Sequence, residues 1–185
     1  MKMSIWTLGH SNRSIEDFLE RLERYEIEGI ADVRRFPGSR RLPQYSQTTL
    51  AATLQTAGIH YRWFEALGGR RRPTSESVNS AWRNVSFRGY ADHMASDEFK
   101  DGLEALIQFA SEQRTALMCA EVLWWRCHRG LISDELRVRG LRVIHILDLV
   151  KAVEHPFTSP AQVVRGRLTY RAKDDEDSHS DSHRA

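Results

Sequence analysis

The chain has 185 residues, of which 41% are hydrophobic and 28% are charged, and its formal net charge is +2. This length suits one domain with a sizeable core, and the composition is that of an ordinary globular protein. No run approaches the roughly 18 apolar residues of a membrane helix. The start of the chain lacks the apolar stretch of a signal peptide, and two cysteines are too few for a secreted disulfide framework, so we expect a cytoplasmic protein without membrane contact.

Predicted strands and helices alternate along the chain. Apolar runs predict strands over 4–8, 27–33, 59–64, 115–119 and 141–147. Helical spacing of apolar residues predicts helices around 15–22, 50–57, 99–110 and 131–136, the first with Ser14 as its N-cap. The alternation predicts a single α/β domain with a mostly parallel five-stranded sheet and helices on both faces, a Rossmann-like or flavodoxin-like layering.

The organisation outside this core is less regular. Residues 65–96 are predicted to be a long irregular connection, which in a compact domain is usually functional or disordered. We expect the α/β domain to span 1–150, a C-terminal extension to span 151–172, and a disordered acidic tail to span 173–185. Without residues 173–185 the chain has 25 basic and 20 acidic side chains, so the rest of the protein is more basic than its total charge suggests.

Chemistry-bearing residues follow several predicted strands. Right-handed crossovers place the C-terminal ends of parallel strands at one edge of the sheet, where ligands of such folds bind. This edge is therefore expected to gather His10, Asp32, Arg34, Arg35, Arg62, Glu65, Cys119, Glu121, Arg126, Cys127 and His128.

Residues 115–131 contain both cysteines and are the main candidate for a site. Cys119 is predicted to close a strand, and Cys127, His128 and Arg129 to open the next helix, whose N-terminus favours an anion or a thiolate. Cys127 is the first candidate nucleophile, because neighbouring cations lower the pKa of a thiol. The other candidate catalytic groups are His10, Asp32, Glu121 and His128.

Structural roles remain open for each of these residues. Cys127 is alternatively a small buried residue, and Cys119 is more typical of a strand interior. His10 could cap the first helix. Asp32 could pair with an arginine such as Arg34, and Glu121 could orient a neighbouring side chain.

Arginine clusters in one part of the sequence and indicates an anionic partner. Residues 34–90 contain ten Arg, no Lys and two Glu. Arginine recognises phosphate by forked hydrogen bonds and stacks on bases, so a phosphate-bearing ligand or nucleic acid is the expected partner. The candidate anion-binding residues are Arg34, Arg35, Arg70, Arg126 and Arg129. Interleaved aromatic residues would suit nucleic acid, although they could equally be core residues behind an arginine rim.

Five ordered motifs resemble a known family. They are Thr7–Arg13 (TLGHSNR), Ala31–Arg34 (ADVR), Leu67–Arg70 (LGGR), Phe87–Ala91 (FRGYA), and Met118–Glu121 (MCAE) with Arg126–Arg129 (RCHR). Together they resemble the DUF488 family of bacterial and archaeal domains, over roughly residues 5–147. The resemblance implies an α/β domain and brings no established reaction.

The sequence therefore predicts an enzyme that acts on a phosphate-bearing ligand, with Cys127 as a reactive thiolate. A non-catalytic nucleic-acid-binding module is the first alternative, and a Cys/His metal or redox site is the second. Six residues separate Cys119 from Arg126, one more than in cysteine phosphatases, and Trp124 and Trp125 would fill the loop of a rhodanese-like carrier. The cysteines and histidines lack zinc-finger spacing, so no metal is predicted. Neither a cofactor nor an oligomeric state is indicated.

Overall fold

A computed structural model describes residues 3–38 and 40–172 of the protein. Its centre is a six-stranded sheet in the order β3-β2-β4-β1-β5-β6. The strands are β1 (Ser4–Gly9), β2 (Gly29–Asp32), β3 (His60–Trp63), β4 (Thr115–Cys119), β5 (Arg142–Ile146) and β6 (Ala152–Glu154). The predicted tail at 173–185 lies outside the described residues.

The predicted α/β architecture is confirmed, with one strand more than expected. The first five strands run parallel. The sixth, β6, pairs antiparallel with β5 through the register Ile144–Glu154 and Ile146–Ala152. It was missed because three residues with one charge give too short a pattern to predict a strand.

Helices cover both faces of the sheet, as predicted. On one face, α1 (Ile15–Arg24) and α2 (Gln47–Thr56) enclose one hydrophobic cluster. On the other, α3 (Val85–His93), α4 (Asp97–Glu112) and α5 (Arg129–Val138) enclose a second. No helix in the described part of the chain is long and apolar enough to cross a membrane.

Strand β4 illustrates how the sequence alternates between the two clusters. Ala116 and Met118 pack with α1 and α2, whereas Leu117 and Cys119 pack with α3, α4 and α5. Successive side chains of a strand point to opposite faces, so this alternation follows from the pleat. It aims the Cys119 side chain toward the layer that contains α5.

Helix α3 occupies part of the segment that was predicted to be irregular. Asn84 caps it by accepting hydrogen bonds from the backbone N–H groups of Ser86 and Phe87, at 2.9 and 3.2 Å. The helix is only nine residues long and contains Gly89, which weakens the sequence signal for a helix. Its buried Tyr90 reaches the candidate site described below.

The segment at 151–172 contributes β6 to the central sheet, and the part after β6 packs on the α/β domain. After β6 it forms a hairpin of β7 (Gln162–Val164) and β8 (Arg167–Thr169). The following Tyr170 is 3% exposed and belongs to the second hydrophobic cluster. Its backbone oxygen accepts a hydrogen bond from the N–H of Ala81 at 2.9 Å.

Candidate functional site

A cavity of about 380 Å³ opens where the chain leaves β2 and β4. Strands β4 and β1 are neighbours in the sheet, but the chain runs from β1 to β2 on one side and from β4 to β5 on the other. Such a switch in strand order is where α/β folds form a ligand crevice. The lining residues are Arg34, Arg35, Phe36, Gly38, Gly69, Arg70, Ser86, Phe87, Tyr90, Cys119, Ala120, Glu121, Arg126, Cys127 and His128.

The loop after β4 is fixed against the end of β1. The backbone N–H groups of His10 and Ser11 donate to the carbonyls of Cys119 and Ala120, at 2.9 and 3.0 Å. A Cβ on Gly9 would lie 1.8 Å from the backbone oxygen of Glu121. Glycine is therefore required at position 9, because any side chain would push the cysteine-bearing loop away from the strand.

Cys127 and His128 form a close pair at the start of α5, where the sequence placed them. The Cys127 Sγ lies 3.5 Å from the His128 Nδ1, and the backbone N–H of Arg129 points to the same sulfur at 3.5 Å. The His128 Nε2 donates to the carbonyl of Val33 at 2.8 Å. Because a carbonyl only accepts, this bond places a proton on Nε2 and turns Nδ1 toward the thiol.

The second cysteine touches the first. The Cys119 Sγ lies 2.8 Å from the Cys127 Sγ, and both cysteines are free thiols. Cys119 is 2% exposed and Cys127 is 5% exposed, and both line the cavity. The cavity therefore gives a ligand access to the pair.

Arg129 lies behind the two cysteines and is 1% exposed. Its guanidinium donates to the Thr7 hydroxyl at 3.2 Å and to the carbonyl of Glu121 at 2.6 Å, and in the described residues it has no carboxylate partner. A buried cation without a counter-ion is costly. Ionisation of one of the neighbouring cysteines would supply the missing negative charge.

The electrostatics of the pair assign the negative charge to Cys127. Burial opposes ionisation, but the hydrogen bond with Cys119 and the positive charges of His128 and Arg129 hold the pKa of the Cys127 thiol well below its usual value. Burial and the same contact with Cys127 raise the pKa of Cys119. This arrangement favours the thiolate at Cys127 over the thiolate at Cys119.

Two of the predicted anion-binding residues, Arg70 and Arg126, form the exposed rim of the cavity. Neither side chain has an ion-pair partner among the described residues. The guanidinium of Arg70 lies over the ring of Phe36 at 6.0 Å, and that ring is 66% exposed. Arg35 lines the same cavity and is near Glu65, at 3.7 Å. The mouth therefore presents unneutralised positive charge beside an exposed aromatic ring.

The backbone of the Leu67–Arg70 motif packs against the His128 ring at Gly69. A Cβ on Gly69 would lie 2.7 Å from the His128 Nδ1, the atom that faces Cys127. Glycine at this position therefore allows the imidazole to sit between the motif and the thiol.

We expect Gly69→Ala to displace the His128 ring and to slow alkylation of Cys127 at pH 6 by roughly tenfold, the effect of one pKa unit on the thiolate fraction. The measurement is the rate of iodoacetamide labelling followed by intact mass. Gly38→Ala is the matched control, since Gly38 also lines the cavity and a Cβ there would meet no atom within 4 Å. Equal rates for the two variants would contradict the role assigned to Gly69.

His10, Asp32 and Arg34 form a separate buried cluster. The Arg34 guanidinium grips Asp32 through Nε at 2.9 Å and Nη2 at 2.6 Å, and the Tyr61 hydroxyl donates to the same carboxylate at 2.7 Å. The His10 Nε2 lies 3.4 Å from the Arg34 Nη1, and its ring stacks on Tyr45. Arg34 reaches the cavity, whereas His10 and Asp32 do not line it.

The buried His10 predicts an acid-dependent loss of stability. Burial lowers its pKa from 6.5 to about 4, so the unfolded chain binds a proton more readily than the folded one as the pH falls below 6.5. We expect this group alone to lower the free energy of unfolding by about 2 kcal/mol between pH 7 and pH 5. Urea unfolding at both values should show a smaller decrease for His10→Gln than for the wild type. His60→Gln, on an exposed residue of β3, should retain the full decrease.

A buried relay connects Arg129 with Asp134, and sequence reasoning missed it. The Thr7 Oγ1 lies 2.7 Å from the His145 Nδ1, the His145 Nε2 lies 2.8 Å from the His155 Nδ1, and the His155 Nε2 lies 2.9 Å from Asp134. When His155 donates to Asp134 and His145 donates to His155, the His145 Nδ1 is free to accept the hydrogen of the buried Thr7 hydroxyl. His145 lies in an apolar strand and His155 lies beyond the predicted α/β domain, so the sequence gave no indication that the two side chains are in contact.

The interleaved aromatic residues are mostly core. Tyr45, Phe64, Trp82 and Tyr90 are buried, and Tyr61, Trp63 and Phe87 are partly buried. Among the eight aromatic residues that interleave with the arginines, the exposed ring is that of Phe36. The observed surface therefore gives little support to a base-stacking stripe.

The remaining candidates occupy less specific positions. Glu121 is exposed at the cavity, and its side chain has no hydrogen-bond partner among the described residues. Trp124 stacks on His145 with ring centroids 4.5 Å apart, and neither Trp124 nor Trp125 lines the cavity. Within residues 3–38 and 40–172, no group of three or more His, Cys, Asp or Glu could hold a metal ion.

Comparison with protein families gives a match. The sequence model of the family described as "Domain of unknown function DUF488" matches residues 14–136. No curated protein and no solved structure matches the chain significantly. The matched range includes the cavity-lining residues that follow β2 and those at and after the end of β4.

Proposed function

Because the chain belongs to the DUF488 family, which has no assigned function, we propose a function from the cavity itself: an enzyme that uses the Cys127 thiolate as a nucleophile on a phosphate-bearing ligand. The observation that carries the proposal is the contact of the Cys127 Sγ with the His128 Nδ1 and the Arg129 N–H at the floor of an arginine-rimmed cavity. A cysteine, a base and a group that orients the base are the usual parts of an activated nucleophile.

Each part has a separate role in the proposed chemistry. The Val33 carbonyl fixes the tautomer of His128, so Nδ1 can take the proton of Cys127 and later return it to a leaving group. The first N–H of α5 and the buried Arg129 stabilise the thiolate before substrate arrives. Arg70 and Arg126 at the mouth bind the anionic part of the ligand.

The experiment compares alkylation of the reduced protein by iodoacetate, which is anionic, and by iodoacetamide, which is neutral. We expect Cys127 to be modified, inorganic phosphate or pyrophosphate to protect it, and the ratio of the two rates to exceed that of a free thiol. Double substitution of Arg70 and Arg126 by Met should lower this ratio several-fold and remove the protection, since steering by charge changes rates by about tenfold or more.

Arg41→Met is the control, because Arg41 is exposed and does not line the cavity. It should leave the ratio unchanged. The proposed anion site would be contradicted if phosphate did not slow the modification of Cys127. It would also be contradicted if the ratio of the iodoacetate and iodoacetamide rates were the same in the double variant and the wild type. Labelling of Cys127→Ser at the wild-type rate would contradict the proposed nucleophile.

A further inference from the structure

The cavity floor contains a second thiol, that of Cys119. Nucleophilic attack by Cys127 alone does not require it. The Cys119 Sγ lies 2.8 Å from the Cys127 Sγ, closer than two sulfur atoms that only pack together, and longer than the bond of about 2.0 Å in a disulfide. A shift of less than about 1 Å would join them. Both sulfurs line the cavity, so a ligand that reaches one is beside the other.

We propose that Cys119 and Cys127 are a redox-active dithiol that reduces a disulfide whose thiol halves carry anionic groups. This inference rests on the proposed function, and it names the bond that Cys127 attacks. An acyl or phosphoryl adduct on Cys127 would be removed by water and would leave Cys119 without a role. A mixed disulfide is resolved by a neighbouring thiol.

The reaction has two balanced steps. In the first, the Cys127 thiolate attacks one sulfur of the substrate, the substrate S–S bond breaks, and one half leaves as a thiolate. In the second, Cys119 attacks the Cys127 Sγ, the mixed disulfide breaks, and the second half leaves and takes the proton of Cys119. The substrate gains two electrons and the protein gains a Cys119–Cys127 disulfide. An external small thiol or dithiol then reduces the protein for another turnover.

The charges around the two sulfurs suit this order of events. Arg129 and the N–H at the start of α5 favour the thiolate at Cys127, which is the first attacker. The contact with negative Cys127 is one of the causes that raise the pKa of Cys119, after burial. When Cys127 enters a mixed disulfide its charge disappears, so Cys119 then ionises more easily and the second step follows the first.

The anionic character of the substrate follows from the mouth of the cavity. Arg70 and Arg126 are exposed there without ion-pair partners among the described residues. Phosphate and carboxylate groups share the geometry that a guanidinium recognises. The test therefore includes one disulfide with each kind of anion.

In the experiment, the reduced full-length chain is mixed with coenzyme A disulfide, glutathione disulfide or the neutral bis(2-hydroxyethyl) disulfide, without oxygen. We expect two equivalents of thiol to be released per chain and the protein to lose the mass of two hydrogen atoms. The anionic disulfides should react about tenfold or more faster than the neutral one, and the Arg70→Met/Arg126→Met protein should lose this difference. Faster reaction with coenzyme A disulfide would assign the anion as phosphate, and faster reaction with glutathione disulfide would assign it as carboxylate and contradict the phosphate-bearing ligand of the proposed function.

Variants of the two cysteines separate this inference from the proposed function. Cys119→Ser and Cys119→Ala should release one equivalent and retain a mixed disulfide on Cys127, and Cys127→Ser should release none. Wild-type protein that stops at the mixed disulfide would overturn the dithiol and leave the Cys127 nucleophile intact. Equal rates for the neutral and anionic disulfides would overturn the proposed substrate class. Release of thiol from Cys127→Ser at the wild-type rate would overturn both proposals.

Discussion

His128→Gln should slow alkylation of Cys127 at pH 6 by about 10- to 100-fold, which corresponds to a rise of one to two units in the pKa of the thiol. Burial favours the neutral thiol, so the thiolate depends on the contact with Cys119 and on the cations beside it, His128 among them. The rate of iodoacetamide labelling and the thiolate absorbance near 240 nm, measured from pH 5 to pH 10, report the change.

The pH dependence distinguishes this effect from simple disruption of the cavity. At pH values above the thiol pKa of both proteins their rates should converge, because each thiol is then ionised. His60→Gln changes an exposed histidine on β3 and should follow the wild-type curve. A His128→Gln curve that coincides with the wild type would mean that the helix start and Arg129 hold the thiolate without the imidazole.

Asp134→Asn should lower the free energy of unfolding by about 3–5 kcal/mol, since it leaves buried donors without their acceptor. The carboxylate is fully buried and accepts from the Thr158 N–H at 2.8 Å, the Tyr170 hydroxyl at 2.8 Å and the His155 imidazole at 2.9 Å. An amide has the same shape, but its NH₂ group would face one or more of these donors. Urea unfolding at pH 7 measures the loss.

Asp101→Asn is the matched control, because Asp101 lies on the exposed face of α4. Its effect should be within about 0.5 kcal/mol. Asp134→Asn should also change labelling of Cys127, since Asp134 lies at one end of the relay that reaches Arg129 through His155, His145 and Thr7. Unchanged stability would show that the buried carboxylate is not required for folding.

Hydrophobic patterns were sufficient to predict the α/β class and most of its helices and strands. Strands β1 to β5 and helices α1, α2, α4 and α5 have clear patterns, and Ser14 caps α1 as predicted by accepting from the Asp17 N–H. Helix α3 and strand β6 have patterns too short or too polar to be recognised. Their existence depends on packing against the rest of the domain.

The candidate site was predictable as a place on the sheet but not in its details. Parallel topology alone brings the turn after β2 beside Cys119 and Cys127. Residues of this turn and both cysteines line the same cavity. That the two sulfurs touch depends on the path of residues 120–126, which no local pattern specifies. The relay from Arg129 to Asp134 could not be foreseen either, because it passes through Thr7 and two histidines that are distant in sequence.

Strand β1 lies between β4 and β5 in the sheet, yet it precedes residue 14, where the family match begins. A fragment trimmed to residues 14–136 would therefore omit a central strand and would also omit β5. Its sheet would end at β4, with an unpaired edge and apolar side chains open to water, which is the state that favours aggregation. We therefore expect the fragment of residues 14–136 to aggregate, because the family match covers less of the chain than the central sheet does.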